Sequence, residues 1–582
     1  MKKQLKYSLC ALPLLGAASL AGVVPTYATT ADETEDLTII KDFFWGEGAT
    51  FRNSRYSLSL LTNTTRTQDG GFATVGFDYE YGTGKDDGSA YRIDTELIKY
   101  DGDGNEEWST SWVDCSEPGD SDCARGLLYS VAQGTDGNYM ALAYPASSGK
   151  YPGLGNVSSE SNEQALVKFN SEGKVVSGSW TISDASAAIN YDLYKMYKDE
   201  FEGTTRDDYR FRRAFLTRIV ALSDGGYAAT GTGIARITYC SAYDEDDECE
   251  NWADQTVMGG LIIYYDSDGE YEDMDFYADV KTAADGETSN ENYTEEPETM
   301  TVFVGGTETA DGGFVAAGAQ LDASILDRNF DIENPLKAII VKYDSKGNVV
   351  WENETSGANR RLALFTNVVE LADGGFAAVG AADKLLPIRT YVAKYDANGK
   401  LVWDRTWLDE DTEAISSLGL DITTLENGHI IAVGTSARDI DVLKIIDTIK
   451  DDDGNNTMED LVDSVALDAT VLELDNDGNI VAKKLWDGFN LSTAWLSENK
   501  FVVVGADLDA DDDTLLLNAH VSILGSNLEG DIKVPDTGLF TSNGDFSKAL
   551  TVIAYVGGAV VALGLGAYVV KRVRAHRKVS RF

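Results

Sequence analysis

The residues describe an all-β chain, a seven-bladed β-propeller closed by its N-terminal strand and followed by one C-terminal transmembrane helix. Three observations carry this expectation. One hairpin motif recurs seven times, and a second follows six of those copies. A lone strand-like stretch near the start supplies what the seventh copy lacks.

The first motif is LADGGFAAVG at 371–380. It recurs as TQDGGFATVG ending at Gly76, GTDGNYMALA ending at Ala143, LSDGGYAATG ending at Gly231 and TADGGFVAAG ending at Gly318. Weaker copies are LENGHIIAVG, ending at Gly434, and LSENKFVVVG, ending at Gly505. Each joins two apolar stretches by a tight turn, Asp/Asn-Gly in all but the last copy, the signature of a β-hairpin. The second motif reads LIKYDGDGNEEW, LVKFNSEGKVVS, LIIYYDSDGEYE, IVKYDSKGNVVW, VAKYDANGKLVW and VLELDNDGNIVA, again strand, turn, strand. Two hairpins make a four-stranded blade. The seventh copy has only a third strand, LLLNAHVSIL at 515–524, before the chain turns polar.

The missing strand is IIKDFFW at 39–45, rich in β-branched and aromatic residues. It aligns without gaps with the fourth strands LVWDRTW (401–407) and IVAKKLW (480–486), placing Trp45 with Trp407, Trp486 and Trp112. Pairing the two chain ends would close the ring and remove an exposed sheet edge. The propeller is expected over residues 37–524.

Both ends carry targeting signals. Residues 1–31 have a basic start (Lys2, Lys3, Lys6), an apolar run and small residues near Ala28 and Ala31, as in a secretory signal peptide. Residues 549–570 are uncharged, apolar and long enough to span a bilayer as a helix. The basic tail 571–582 that follows is expected in the cytoplasm, and everything before the span outside the cell. The whole chain stands at −49, and the stretch between the two apolar segments carries about −58. Such a surface repels nucleic acid, which excludes it as a partner. In an oxidising exterior the pairs Cys115/Cys123 and Cys240/Cys249 are expected as local disulfides; their spacing is too wide for a zinc knuckle and no histidine lies nearby.

In a four-stranded meander the first-to-second and third-to-fourth turns share one face of the ring. Here all of them are tight. The length variation sits on the other face, in second-to-third loops at 78–90, 145–163, 234–258, 321–335 and 436–468, and in blade connections at 113–126, 182–213 and 278–300. Recognition belongs on that decorated face, because loops tolerate variation while the scaffold does not. The insertion at 183–203 reads as a helix, with Ile189, Leu193, Met196, Tyr197 and Phe201 at helical spacing. Tyr191, Tyr194 and Tyr197 offer an aromatic binding face, weighed against a role in packing the helix onto the ring.

No cofactor is expected. The turns starting at Asp101, Asp266 and Asp475 place glycine fourth and an aromatic residue twelfth, against the sixth-position glycine and twelfth-position carboxylate of an EF-hand. They read as hairpin turns; looser calcium binding by the acidic stretches SAYDEDDE and DADDD stays open. His429 and His520 are expected on strands without a nucleophile beside them, and the chain has no G-x-S-x-G, HExxH or phosphate-loop motif.

The repeat resembles bacterial surface-protein β-propeller repeats of the form DGGY-x-x-x-G followed by K-Y-D-x-x-G-N-x-x-W, and more distantly those of quinoprotein-type propellers. The resemblance implies the fold and leaves the function open. VPDTG, formed by Val534, Pro535, Asp536, Thr537 and Gly538 in the linker 525–548, resembles the LPXTG signal of wall-anchored proteins. That resemblance implies a sortase-like transpeptidase that cuts between Thr537 and Gly538, with valine here in place of the leading leucine. Together these readings lead to a non-enzymatic protein displayed at the cell surface, membrane- or wall-anchored. It would recognise a protein or glycan through the decorated face; the alternative is a secreted propeller enzyme processing glycan or peptide.

Overall fold

The computed structural model describes residues 35–45, 54–83, 89–113, 124, 126–158, 163–201, 203–243, 249–280, 299–322, 336–355, 362–383, 388–409, 414–440, 465–511 and 514–526. The expected signal peptide, Cys115 and Cys123, the VPDTG motif, the apolar segment 549–570 and the basic tail lie outside the described residues. Among the described residues no helix is long and apolar enough to cross a membrane.

Seven four-stranded antiparallel blades form a ring. Blade 1 is Ser54–Arg66, Phe72–Thr83, Ser89–Tyr100 and Glu106–Val113. Blade 2 is Gly126–Gln133, Tyr139–Pro145, Ala165–Phe169 and Val175–Trp180. Blade 3 is Tyr209–Ala221, Tyr227–Tyr243, Cys249–Tyr265 and Tyr271–Tyr277. Blade 4 is Thr299–Glu308, Phe314–Asp322, Leu336–Tyr343 and Val349–Glu354. Blade 5 is Leu362–Glu370, Phe376–Asp383, Arg389–Tyr395 and Leu401–Trp407. Blade 6 is Ser416–Thr424, Ile430–Ile440, Val465–Leu474 and Ile480–Asp487. Blade 7 is Phe489–Ser497, Lys500–Asp511, Thr514–Gly525 and, from the other end of the chain, Thr38–Trp45. Each first strand touches the first strands of both neighbouring blades, blade 7 meeting blade 1, so these strands line the centre.

The N-terminal strand is the outer strand of blade 7. It runs antiparallel to the third strand from Thr38 opposite Gly525 to Trp45 opposite Ala519. Trp407 lies opposite Thr390 and Trp486 opposite Ala469, the same rung as Trp45. Trp112 departs from the alignment: a bulge puts Val113 opposite Thr95 and leaves Trp112 as the extra residue. The closure also extends further than the sequence suggests. Glu35–Asp36 adds a parallel strand to the edge of blade 6, opposite Ala482 and Lys483. Leu37 is buried in the core shared by blades 6 and 7. The chain ends thus hold two blades together, and the ring runs from Glu35 to the buried Ser526.

The repeat motif acquires a physical meaning in the turns. In blade 5 the Gly374 N–H donates to Leu371 O (2.9 Å) and the Leu371 N–H to Gly375 O (2.8 Å), a type I turn followed by a glycine at φ 75°. The third-to-fourth turn repeats this form at Asp396, Gly399 and Lys400. The turn aspartates act as local caps: Asp396 Oδ1 accepts the N–H of Asn398 and of Lys400, both at 2.9 Å. The motif lysine of the third strand reaches the DGG aspartate of the same blade, Lys99 to Asp69 at 2.9 Å and Lys394 to Asp373 at 3.0 Å. The motif tryptophan joins blades. Trp403 lies against Gly478 of blade 6 and donates Nε1–H to Asn476 O (2.9 Å); Trp351 does the same against Gly399 and Ala397 O (3.2 Å). A Cβ on either glycine would strike the indole. In the closing strand Lys41 stands at the tryptophan position and donates to Gly104 O of blade 1 (2.8 Å).

Several expected loops are strand. In blade 1 pairing continues to Thr83 opposite Ser89, and in blade 3 to Tyr243 opposite Cys249. Once two strands are in antiparallel register, each further pair satisfies backbone groups that a loop would leave to water. The blade 3 extension is a β-finger, bridged at its far end by the Cys240–Cys249 disulfide with a Cα–Cα distance of 5.7 Å. Helix α1 (Ser186–Tyr197) is shorter than the expected insertion helix and has no side-chain cap, because Ala185 stands at its N-cap, while Asp184 accepts the Trp180 N–H.

Candidate functional site

At the centre of the ring every first strand carries a β-bulge at the same level, and the residue after it faces inward. These residues are Asn63, Ser130, Arg218, Gly305, Asn367, Asp421 and Ser492, from blades 1 to 7. Opposite each bulge stands the last position of the first motif, glycine in six blades and Ala143 in blade 2. A Cβ at Gly380 or Gly434 would collide with the neighbouring strand's carbonyl.

The inward residues form a polar belt. Ser130 Oγ accepts the Ile219 N–H (3.1 Å), Asn63 Oδ1 the Val131 N–H (2.9 Å) and Ser492 Oγ the Thr64 N–H (3.1 Å). Asp421 Oδ2 accepts the Thr493 N–H (3.0 Å). Each side chain so far named ties its own blade to the next. Asp421 is the hub, with 0% exposure. Its Oδ1 also accepts from Asn367 Nδ2 (2.5 Å), from the Ile422 N–H (2.9 Å) and from Arg218 across the ring (3.0 Å); its Oδ2 also accepts from Ser492 Oγ (2.6 Å). A carboxylate so surrounded has no lone pair left for substrate. This arginine–carboxylate pair holds blades rather than offering a reactive group. The sequence reading missed the belt because its chemistry differs in every blade. A positional signal was present: each belt residue stands 13 positions before the motif's last residue, as Asn63 before Gly76 and Asp421 before Gly434.

His520 is on a strand as expected, and the fold brings a nucleophile type beside it after all. Ser522 Oγ lies 2.9 Å from its Nε2 and donates to Asp42 Oδ1 (2.8 Å). Nε2 also meets Asp42, and Asp507 Oδ1 lies 3.4 Å from Nδ1. Burial works to raise the Asp42 pKa, but the hydrogen bond and charge of His520 and the bond from Ser522 leave it lowered. Ser522 is 0% exposed, so this row fastens the closing strand inside blade 7 and presents no nucleophile. His429 stands at a turn exit rather than on a strand, with Nδ1 2.6 Å from Glu473 Oε1.

The three tyrosines of α1 do not act as one face. Tyr197 donates its hydroxyl to Phe276 O (2.7 Å), and Tyr194 packs edge-on against Tyr209. Both hold the helix, whose Ile189 and Leu193 are buried in the core shared by blades 2 and 3. Only Tyr191 is open, at 44% exposure, with Lys195 Nζ and the Arg206 guanidinium 4.8 and 5.5 Å from its ring centre. The aspartates of the three calcium-like turns are engaged as hairpin caps. Asp101 Oδ1 accepts two N–H groups (2.8 and 2.9 Å) and its Oδ2 the Asn105 amide (2.9 Å). Among the described residues no group of three or more His, Cys, Asp or Glu side chains is placed to hold a metal.

The class the ring defines is the seven-bladed β-propeller. No protein-family model matches the chain, and no curated protein matches it. Among solved structures it is similar to hydrazine synthase of Kuenenia stuttgartiensis, with 11% identity, TM-score 0.31, and 65% of this chain and 76% of that one covered. It is similar also to the α-L-arabinofuranosidase Arb93A of Fusarium graminearum, with 9% identity, TM-score 0.30, and coverage of 70% and 94%. A third likeness is the exotype rhamnogalacturonan lyase YesX, with 9% identity, TM-score 0.28, and coverage of 82% and 75%. Scores this low carry no argument about activity.

Proposed function

We propose that this chain is a non-enzymatic recognition propeller displayed at the cell surface, binding a protein or glycan through its decorated face. The observation that carries the reading is the asymmetry of the ring. In blades 1 to 6 the first-to-second and third-to-fourth turns are all short, while the opposite face carries the extended hairpins and a disulfide-bridged finger. Anchoring follows from the ends: the apolar segment 549–570 and basic tail hold the chain in the membrane until a sortase-like transpeptidase joins Thr537 to the wall.

The second reading, a glycan- or peptide-processing enzyme, has the Arg218–Asp421 pair and the Ser522–His520 row as its candidates, and the burial of Asp421 and Ser522 weighs against it. Residues 32–533 applied to glycan and surface-protein arrays test both. Specific retention without product formation is expected. Turnover of any retained glycan or peptide replaces the first reading with the second, and no retention at all defeats both. Wall-linked, membrane-free protein ending at Thr537 is the expected product of sorting.

A further inference from the structure

Deepening the recognition reading and resting on it, we infer that the base of the blade 3 finger binds a carboxylate-bearing sugar. In a chain with 97 acidic and 48 basic residues, arginines gather here. Alternation divides the finger into two faces. Tyr209, Phe211, Ala235, Ile237 and Tyr239 are buried in the core shared with blade 2. The opposite face carries Arg210 directly across from Arg236, and a bulge at Arg212 turns it and Arg213 to that same side. The side chains of Arg210 and Arg212 are exposed and donate no hydrogen bond among the described residues, although the charge of Arg212 acts on Asp254. Arg236 is paired with Asp254. Further along the same face Trp252 is 57% exposed, four positions from the residue opposite Arg236, a span of roughly 13 Å along the strand.

Two exposed guanidinium forks on the first strand of blade 3 thus share a face with a flat aromatic surface on the disulfide-bridged finger. Guanidinium forks match carboxylates in a bidentate manner, and an open indole offers an apolar face to a sugar ring. The surrounding charge narrows the ligand. At physiological salt fields reach about 8 Å, so the arginine island attracts locally while the acidic remainder repels an extended polyanion. A short glycan with carboxylates on a hydroxyl-rich body meets both conditions.

Titration calorimetry of the detergent-solubilised full-length chain with trigalacturonate tests this, with its methyl ester and triglutamate as controls. Saturable trigalacturonate binding is expected, weakened about tenfold or more by R210Q/R212Q and by esterification. W252A is expected to weaken it by roughly fivefold, with triglutamate not retained. R210K/R212K, which keeps charge but not the fork, is expected to fall between parent and R210Q/R212Q. An unchanged thermal midpoint in each variant separates lost contact from lost fold. Equal binding of the ester or of triglutamate, or unchanged affinity in R210Q/R212Q, overturns the assignment. Retention of a different glycan or protein with no trigalacturonate binding overturns this inference and leaves the recognition reading standing. Turnover of trigalacturonate sinks that reading and leaves the site.

Discussion

Asp421 shows how one side chain can organise a ring of repeats. Asp421→Ala strands the Arg218 guanidinium and several buried donors in the centre, which is expected to cost roughly 3–5 kcal/mol. A urea midpoint placing the variant within about 1 kcal/mol of the parent would show that the belt is dispensable. Asp275 makes the opposite case. Burial is the main cause that raises its pKa to about 7, with Asp273 and Asp344 adding to it and the Tyr264 hydrogen bond opposing. Its folded value stands above the unfolded 3.8, so between about pH 4 and 7 the native chain holds a proton the unfolded chain has lost. Stability from this group is full below pH 4, falls as pH rises through 7, and then levels. At ~1.4 kcal/mol per unit the loss is roughly 4 kcal/mol as an upper bound. Asp275→Asn is expected to raise the thermal midpoint at pH 8 and to leave it near the parent's at pH 4; equal shifts at both pH values would refute the assignment. Asp69 and Asp311, held near 2 by neighbouring donors and lysines, act in the other window and lose stability only as pH falls below 4.

The closing strand does more than complete a sheet. It pairs with blade 7, buries Leu37 between blades 6 and 7, and hands Lys41 to a blade 1 turn. Beginning the chain at residue 47 removes these contacts together. The expected loss is at least ~5 kcal/mol, from several apolar side chains at 1.5–3 kcal/mol each. It would be read as a lower and broader thermal transition than that of a chain beginning at 32; coincident transitions would mean that the ring holds without its clasp. This strand was legible in advance because its aromatic pattern copies the fourth strands. The finger was not, since 234–258 lacks the repeat motif and only pairing across it reveals strand. The α1 tyrosines left two roles open for a related reason: helical spacing says which residues share a stripe, and only packing says that Tyr194 and Tyr197 serve the ring while Tyr191 stays open.

For the molecule as a whole, charge and closure pull in opposite directions. A net −49 makes the folded chain repel itself, while the belt and clasp hold it shut. Raising sodium chloride from about 50 to 500 mM shortens the Debye length and is expected to raise the thermal midpoint by several degrees. A midpoint that falls with salt would mean that the intrablade pairs, Lys99–Asp69 and its equivalents, outweigh the overall repulsion.

The blade count, the tight-turned face and the partner of the first strand were all determined by sequence alone. Each is written in local patterns (turn glycines, alternating strands, a tryptophan three or four residues past the turn) that any stretch carries by itself. The tertiary structure alone decided that a central carboxylate is a hub, that a serine and a histidine meet at Asp42, and that four arginines share one side of a finger. Those arrangements join residues from different blades, from opposite chain ends, or across a bulge. Their meaning depends on distances that no local pattern encodes.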